Sequence, residues 1–294
     1  MGHKKITGFH IVNGILLGVL VVVCILPVLH VVALSFSNRL DAVAGNVTFL
    51  PKGFTLEAYR YVLEDQQFWA SLRVTLLRVA IGVPVNILLV VLTAYPLSKA
   101  NSRFHGRTFF SWFFIISTLF SGGMIPTYIV INKLGLLNSI WALTLPGAMN
   151  VGYMILMMNF FRGVPSELED AAIIDGANQL QILFKVYLPM CLPALATIVL
   201  FAVVVNWNCW MDGYLYMNSP DKYPLQTYLA TTLMQSKTNV EAMMTPEQLA
   251  RMAKISNKTI EAAQILLAAL PIMCLYPFLQ KYYTKGIING SVKG

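Results

Sequence analysis

Six runs of mostly apolar residues constrain this 294-residue chain more than any other feature of it. They lie at about 11–36, 71–97, 108–131, 138–161, 190–211 and 260–283. A helix of about 20 such residues crosses the hydrocarbon layer of a bilayer. The helix suits that setting because it satisfies its own backbone hydrogen bonds where no water can. The runs predict an all-α polytopic membrane protein with about six transmembrane helices. Only 12% of the residues are charged and 57% are hydrophobic, against about 25% and 45–50% in soluble domains. That balance excludes a disordered chain and leaves no room for a large soluble domain, so residues 1–294 are expected to form a single transmembrane domain. Lys4 and Lys5 precede the first run as they would in a signal peptide. The run is longer than a signal core of about 7–15 residues, and no small-x-small cleavage site follows it. It is expected to be a retained helix.

The net charge of +8 does not point to nucleic acid. The basic residues lie mostly between apolar runs, no basic run exceeds Lys4-Lys5, and none is interleaved with aromatics. Lys99, Arg103 and Arg107 occupy one short loop without an acid, the opposite short loop holds only Lys133, and Lys281, Lys285 and Lys293 mark the tail. By the excess of cations on cytoplasmic loops, both termini are expected to be cytoplasmic. Two longer segments then face outward. One, 37–70, carries Asp41, Glu57, Glu64 and Asp65; the other, 212–259, includes a helix start at Thr245-Pro246-Glu247. They are either contacts for an extracytoplasmic partner or solvated connectors. Cys24, Cys191, Cys209 and Cys274 sit inside apolar runs and are expected to be buried, inert thiols.

The inner loop 162–188 differs from every other stretch. Four of the 13 acids (Glu167, Glu169, Asp170, Asp175) fall within nine residues of it. Ser166 with Glu169 three residues on has the form of a capping box, so a helix should start at Ser166. Gly176 suits the left-handed stop beyond its end. A second short helix is expected from Asn178 to Leu188, before Pro189. Ala171 and Ala172 offer a small-residue patch with an acidic rim. A plain connector needs no such hairpin, which reads as a docking surface for a cytoplasmic protein. The chain also lacks GxxxxGK[ST], so it has no phosphate-cradling loop for ATP. Energy has to arrive by contact.

This loop resembles the EAA loop of bacterial ABC-importer permeases. Asp170-Ala171-Ala172, Gly176, Val186 and Leu188-Pro189 stand at the family's spacing. Asp170 and Val186 replace Glu and Ile, and Glu169, one place upstream, is an alternative motif acid. Phe120 to Tyr128, Leu134 to Asn138, Tyr276 to Tyr282 and Gly290 to Gly294 are similar to the second permease subunit of maltose-type carbohydrate importers, in the LplC/YtcP-like branch. That branch serves complex oligosaccharides, including uronate-containing ones such as alginate.

The resemblance implies the type I importer permease fold and work in the bacterial cytoplasmic (inner) membrane. The implied partners are a second related permease, as a heterodimer, two copies of a cytoplasmic ATPase, and an extracytoplasmic solute-binding protein. Its substrate would be an oligosaccharide, moved by alternating access. The chain itself would hold no cofactor, since ATP and Mg would bind the ATPases. Glu169, Asp170, Ala171, Ala172, Asp175, Gly176, Ala177, Leu188 and Pro189 would dock the ATPase. The tail Gly290, Ser291, Val292, Lys293 and Gly294 would reach it as well.

Asn206, Trp207, Asn208, Trp210 and Tyr214 combine rings that stack on sugar faces with amides that pair hydroxyls, so they are substrate-contact candidates. Trp and Tyr also anchor helices at membrane interfaces. Asn86, Asn150 and Asn159 are expected to bond between helices. Arg73 and Arg78 either snorkel to headgroups or meet the binding protein or an anionic sugar, and Glu261 is open in the same way. Gly14 and Gly18 form a GxxxG suited to helix packing. A secondary transporter or channel is the competing class. It would need intramembrane carboxylates or paired charges for ion coupling, and no apolar run holds Asp or Glu at its centre.

Overall fold

The computed structural model describes residues 8–100, 102–235 and 255–291. The helix start expected at Thr245-Pro246-Glu247 and the tail residues Val292, Lys293 and Gly294 lie outside the described residues, and of Gly290 and Ser291 only the helical backbone is described. All regular structure among the described residues is helical. The chain divides into two compact units, Met1–Phe68 with Leu229–Leu270, and Trp69–Tyr228 with Pro271–Gly294.

In the first unit the helix Gly8–Ser35 is apolar on every side, and none of its most apolar window is buried by the described chain. A helix apolar all round belongs in lipid or against a partner. Gly14 and Gly18 meet nothing within 4 Å, so the expected GxxxG packing has no counterpart among the described residues. After Ser35 the chain folds back on itself. Asn38 caps the short helix Arg39–Val43 by accepting from the Asp41 amide at 2.8 Å. Phe36 stacks between Phe54 and Tyr59, and the Tyr59 hydroxyl meets Ser35 Oγ at 2.8 Å. A Cβ at Gly53 would lie 2.0 Å from Asn38 Nδ2, so only glycine allows this close return. Of the acids on segment 37–70, Asp41 is tied into this cap and Glu57 pairs with Arg60. Ser256 and Thr259 cap the start of the helix Asn257–Ser291 reciprocally.

The second unit is built on the 33-residue helix Gln66–Ser98. Its C-terminal end packs Val90, Ala94 and Leu97 against Met154, Met157 and Phe161 of helix Val151–Arg162 and against Ile182, Leu183 and Tyr187. Asn86 donates to the Ala148 carbonyl at 2.8 Å, which is the kind of interhelical bond expected of it. Asn150 does something else, capping its own helix by accepting from the Tyr153 amide at 3.0 Å. Asn159 is exposed.

Three helices among the described residues are long and apolar enough to cross a bilayer, and two bent pairs raise the number to five. The expected span 108–131 bends by 113° between Arg107–Leu119 and Met124–Lys133, at Gly123, whose φ is +83°. The expected span 138–161 is two helices, Ile140–Thr144 and Val151–Arg162, interrupted around Pro146-Gly147. Proline removes a backbone donor, and glycine lets the chain turn. Of the four thiols only Cys191 is buried; Cys24 and Cys274 are exposed and Cys209 is intermediate. The expectation of uniformly buried cysteines took apolar sequence for protein interior, whereas here much apolar surface points outward.

Candidate functional site

The hairpin in 162–188 begins with helix Ser166–Ile174, as the sequence predicts, but not for the predicted reason. Pro165 is its N-cap, and no side chain caps it. Glu169 does not reach back to close a box. Its side chain is buried, with Oε2 at 2.9 Å from Lys99 Nζ, 3.0 Å from Arg103 Nη1 and accepting from the Tyr187 hydroxyl at 2.7 Å. Two cations and a phenol outcompete one exposed backbone amide for a carboxylate.

The helix ends as expected at Gly176, φ +80°. Gly176 N–H donates to the Ile173 carbonyl at 3.0 Å and Ala177 N–H to the Ala172 carbonyl at 2.9 Å, the paired bonds of a Schellman stop. Asn178 and Gln181 then form a true capping box, each bond 2.9 Å. The second helix runs Gln179–Met190, past Pro189. It tolerates the proline because Leu183–Tyr187 widens into a π turn in which Leu188 N–H reaches back five residues to Leu183. That turn loosens the ladder just where a proline ring would clash. An 85° bend at Cys191 then leads into helix Leu192–Asn208.

Lys99, just beyond helix Gln66–Ser98, is the centre of the buried cluster. Its ammonium lies 4.1 Å from the Tyr95 ring centroid and 3.8 Å from that of Tyr187, between two π faces. The contact with Glu169 is a close ion pair without the alignment of a directed hydrogen bond. Burial pulls the Lys99 amine below the ordinary lysine range, with Glu169 opposing. Burial alone would raise the Glu169 carboxyl, but contacts from Lys99 and Tyr187 and the charges of Lys99 and Arg103 hold it below the ordinary range. Arg103 also reaches Asp170 Oδ1 at 2.7 Å, which raises its own pKa. Tyr95 donates to Gln179 Oε1 at 2.8 Å. A cavity of about 570 Å³ lies beside the cluster, walled by Leu92, Pro96, Phe104, Ile173 and Leu180 among others.

The structure thus sorts the docking candidates. Asp170, Ala171, Asp175, Gly176 and Pro189 are exposed. Ala172, Ala177 and Leu188 are half-buried against the core, and Glu169 faces inward. Ile174 at the tip is 86% exposed, with Ile173 and Leu168 beside it. Gly176 has open space around it. The outward face is therefore apolar and small at its centre, and the acidity expected of its rim comes from Asp170 and Asp175, without Glu169.

The aromatic segment after helix Leu192–Asn208 is sorted in the same way. Trp207 is buried. Asn206 donates to the Ala202 carbonyl at 2.9 Å and accepts from Arg78 Nε at 3.4 Å. Asn208 and Tyr214 are exposed, and Trp210 is intermediate. Arg73 is exposed, but Arg78 is 4% exposed and does not snorkel. Its guanidinium grips Asp212 with both terminal nitrogens and also touches the Cys209 carbonyl at 3.4 Å. Sequence reasoning placed Asp212 in an outer loop and missed this pair. The signal was present, since an arginine inside an apolar run needs a counter-ion.

The described residues form an all-helical assembly with apolar helices of membrane-spanning length and a hairpin anchored by a buried ionic cluster, which is the architecture of a polytopic membrane protein. Comparison with known proteins supplies the family. Residues 72–289 match the family described as "Binding-protein-dependent transport system inner membrane component", and the chain belongs to it. It is a multi-pass inner-membrane permease subunit of an ATP-binding-cassette importer.

The chain is 40% identical over 272 residues to the polygalacturonan/rhamnogalacturonan transport system permease protein YtcP of Bacillus subtilis, covering 92% of this chain and 93% of that one. It is 39% identical to the protein LplC of the same organism, covering 97% and 95%. A bacterial ABC transporter "involved in the import of the acidic polysaccharide alginate" contains a chain of matching structure. Its TM-score is 0.85 at 33% identity, over 96% of this chain and 99% of that one.

Proposed function

We propose that this subunit imports an oligosaccharide, and specifically one rich in uronate, into the cytoplasm. Support for the sugar comes from the relatives, since one is named for transport of polygalacturonan and rhamnogalacturonan and another for import of the acidic polysaccharide alginate. The subunit works as a heterodimer with a related permease. Two ATPases that hold ATP and Mg sit below it, and a solute-binding protein delivers substrate from outside. Both termini are cytoplasmic, and the tail from Gly290 to Gly294 reaches toward the ATPases.

The observation that carries this reading is the outward face of the hairpin. Asp170, Ala171 and Ile174 on the helix, and Asp175 and Gly176 at its stop, stand exposed, while Glu169 is buried and Ala172 half-buried. They form the seat in the ATPase, and closure of the ATPase pair on ATP pulls that seat inward. Asn208, Trp210 and Tyr214 are the sugar contacts, with Asn206 and Trp207 positioning them from behind. The deciding experiment is co-purification. Ala171→Leu places a bulky side chain on the exposed part of the hairpin helix without backbone strain, so it should abolish ATPase co-purification and uptake of oligogalacturonate. Normal uptake with normal co-purification would refute the docking assignment.

A further inference from the structure

Helix Gln66–Ser98 is held by ionic contacts at two places, and both partner segments flank helix Leu192–Asn208. Near its inner end, Lys99 and Arg103 grip Glu169 and Asp170 of the hairpin that leads into that helix. About 30 Å away along the helix axis, at 1.5 Å per residue, Arg78 grips Asp212, Asn206 and the Cys209 carbonyl, where that helix ends. Both anchors are buried at the charges that matter. Arg78, Lys99 and Glu169 each expose no more than 9% of their surface. A charge buried in this way is strongly penalised if its partner leaves, so neither joint can open cheaply during a transport cycle. Between the joints the helix continues through Pro84 and Pro96 without a break, and its C-terminal half is packed on the core.

We infer that helix Gln66–Ser98 is the rod that carries motion of the docking hairpin to the sugar-facing segment 206–216, with Lys99–Glu169 and Arg78–Asp212 as its two closed joints. This rests on the docking reading and goes beyond it by naming where the force travels. Lys99, Glu169, Arg78 and Asp212 are positioning residues, none of which needs to touch the sugar or the ATPase. The hairpin, the rod and the segment around Trp210 shift as one body, and the bends elsewhere in the unit absorb the change in shape.

The test needs no knowledge of the sugar. Spin labels at Ala100→Cys and Ser166→Cys straddle the inner joint without touching its four charged side chains. Labels at Leu77→Cys and Met211→Cys, both exposed, straddle the outer one. Each pair is measured in the assembled transporter, in a background with Cys24 and Cys274 replaced by serine, without nucleotide and with ATP and vanadate. Both distances should stay the same in the two states, while the distance from Ala100→Cys to a label on the partner permease changes. A change of several ångströms across either joint overturns the inference.

A second measurement reads the force itself. Lys99→Met should leave ATPase bound but reduce the stimulation of ATP hydrolysis by the binding protein about tenfold, a typical coupling magnitude, and Lys99→Arg should restore it. Unchanged stimulation in Lys99→Met also overturns the inference. If Lys99→Met does not assemble, the distance pairs decide alone. Loss of ATPase from the wild-type complex would strike the docking reading, a different result from either of these.

Discussion

At the residue scale, the buried charges make the sharpest predictions. Glu169→Gln leaves the Lys99 ammonium between two tyrosine rings with no anion beside it. Removing one partner of a buried pair costs about 3–5 kcal/mol, and the loss should appear as faster amide exchange across 166–190 and a lower unfolding temperature. The pH dependence of this anchor follows from the Glu169 shift. Its folded carboxyl titrates below the ordinary range, so its contribution is present above the unfolded value and is lost as pH falls through the folded one. Exchange protection of the hairpin should therefore survive mild acid and fail only below the ordinary glutamate range. For the outer pair, Arg78→Met alone should be more damaging than Arg78→Met with Asp212→Leu. The double variant leaves no unpaired buried charge, and a thermal-shift comparison of the two decides it. Sequence showed that these residues were charged and where they sat along the chain. It did not show Glu169 turning inward, because the capping-box spacing is a local signal while the two cations that hold this carboxylate lie some 70 residues away, in the loop after helix Gln66–Ser98.

At the element scale, the hairpin was legible where local chemistry governs. Ser166, Gly176 and Asn178 mark its start, stop and restart, and each appears where the spacing predicts. Asn178→Ala should cost about 1 kcal/mol by removing a side-chain cap, seen as a lower thermal midpoint without loss of fold. Gly176→Asn should be milder than Gly176→Val for folding, since Asn tolerates positive φ and a β-branched residue does not; a fluorescence thermal scan separates the two. The continuation past Pro189 was not legible, because a π turn has no sequence signature of its own. Deleting one residue from 183–187 should return that stretch to a regular helix and rotate Tyr187 by about 100°, away from Glu169. The expected readout is loss of the Glu169 anchor with the helix content unchanged. The unbroken spans predicted at 108–131 and 138–161 failed for a related reason. Apolar composition reports that a segment lies in the membrane, and says less about whether its backbone stays straight there.

At the scale of the whole molecule, the apolar runs identified the class, and the EAA spacing identified the family before any coordinates. The helix Gly8–Ser35, whose most apolar window is left unburied by the described chain, should expose Cys24 to alkylation in the isolated subunit, as should the helix bearing Cys274, while buried Cys191 resists. Mass spectrometry of the alkylated chain tests this directly. The Arg78–Asp212 pair has a further consequence, which concerns order of synthesis. The two residues are 134 positions apart. At about 5–20 residues per second, the ribosome delivers the counter-ion roughly 7–27 seconds after the arginine. A lone arginine costs about 2.5–3.5 kcal/mol at the centre of a membrane helix on insertion scales, an upper bound for Arg78, which lies towards the N-terminal end of helix Gln66–Ser98. The order of synthesis therefore makes this helix, arginine included, before the carboxylate that neutralises it in the finished fold.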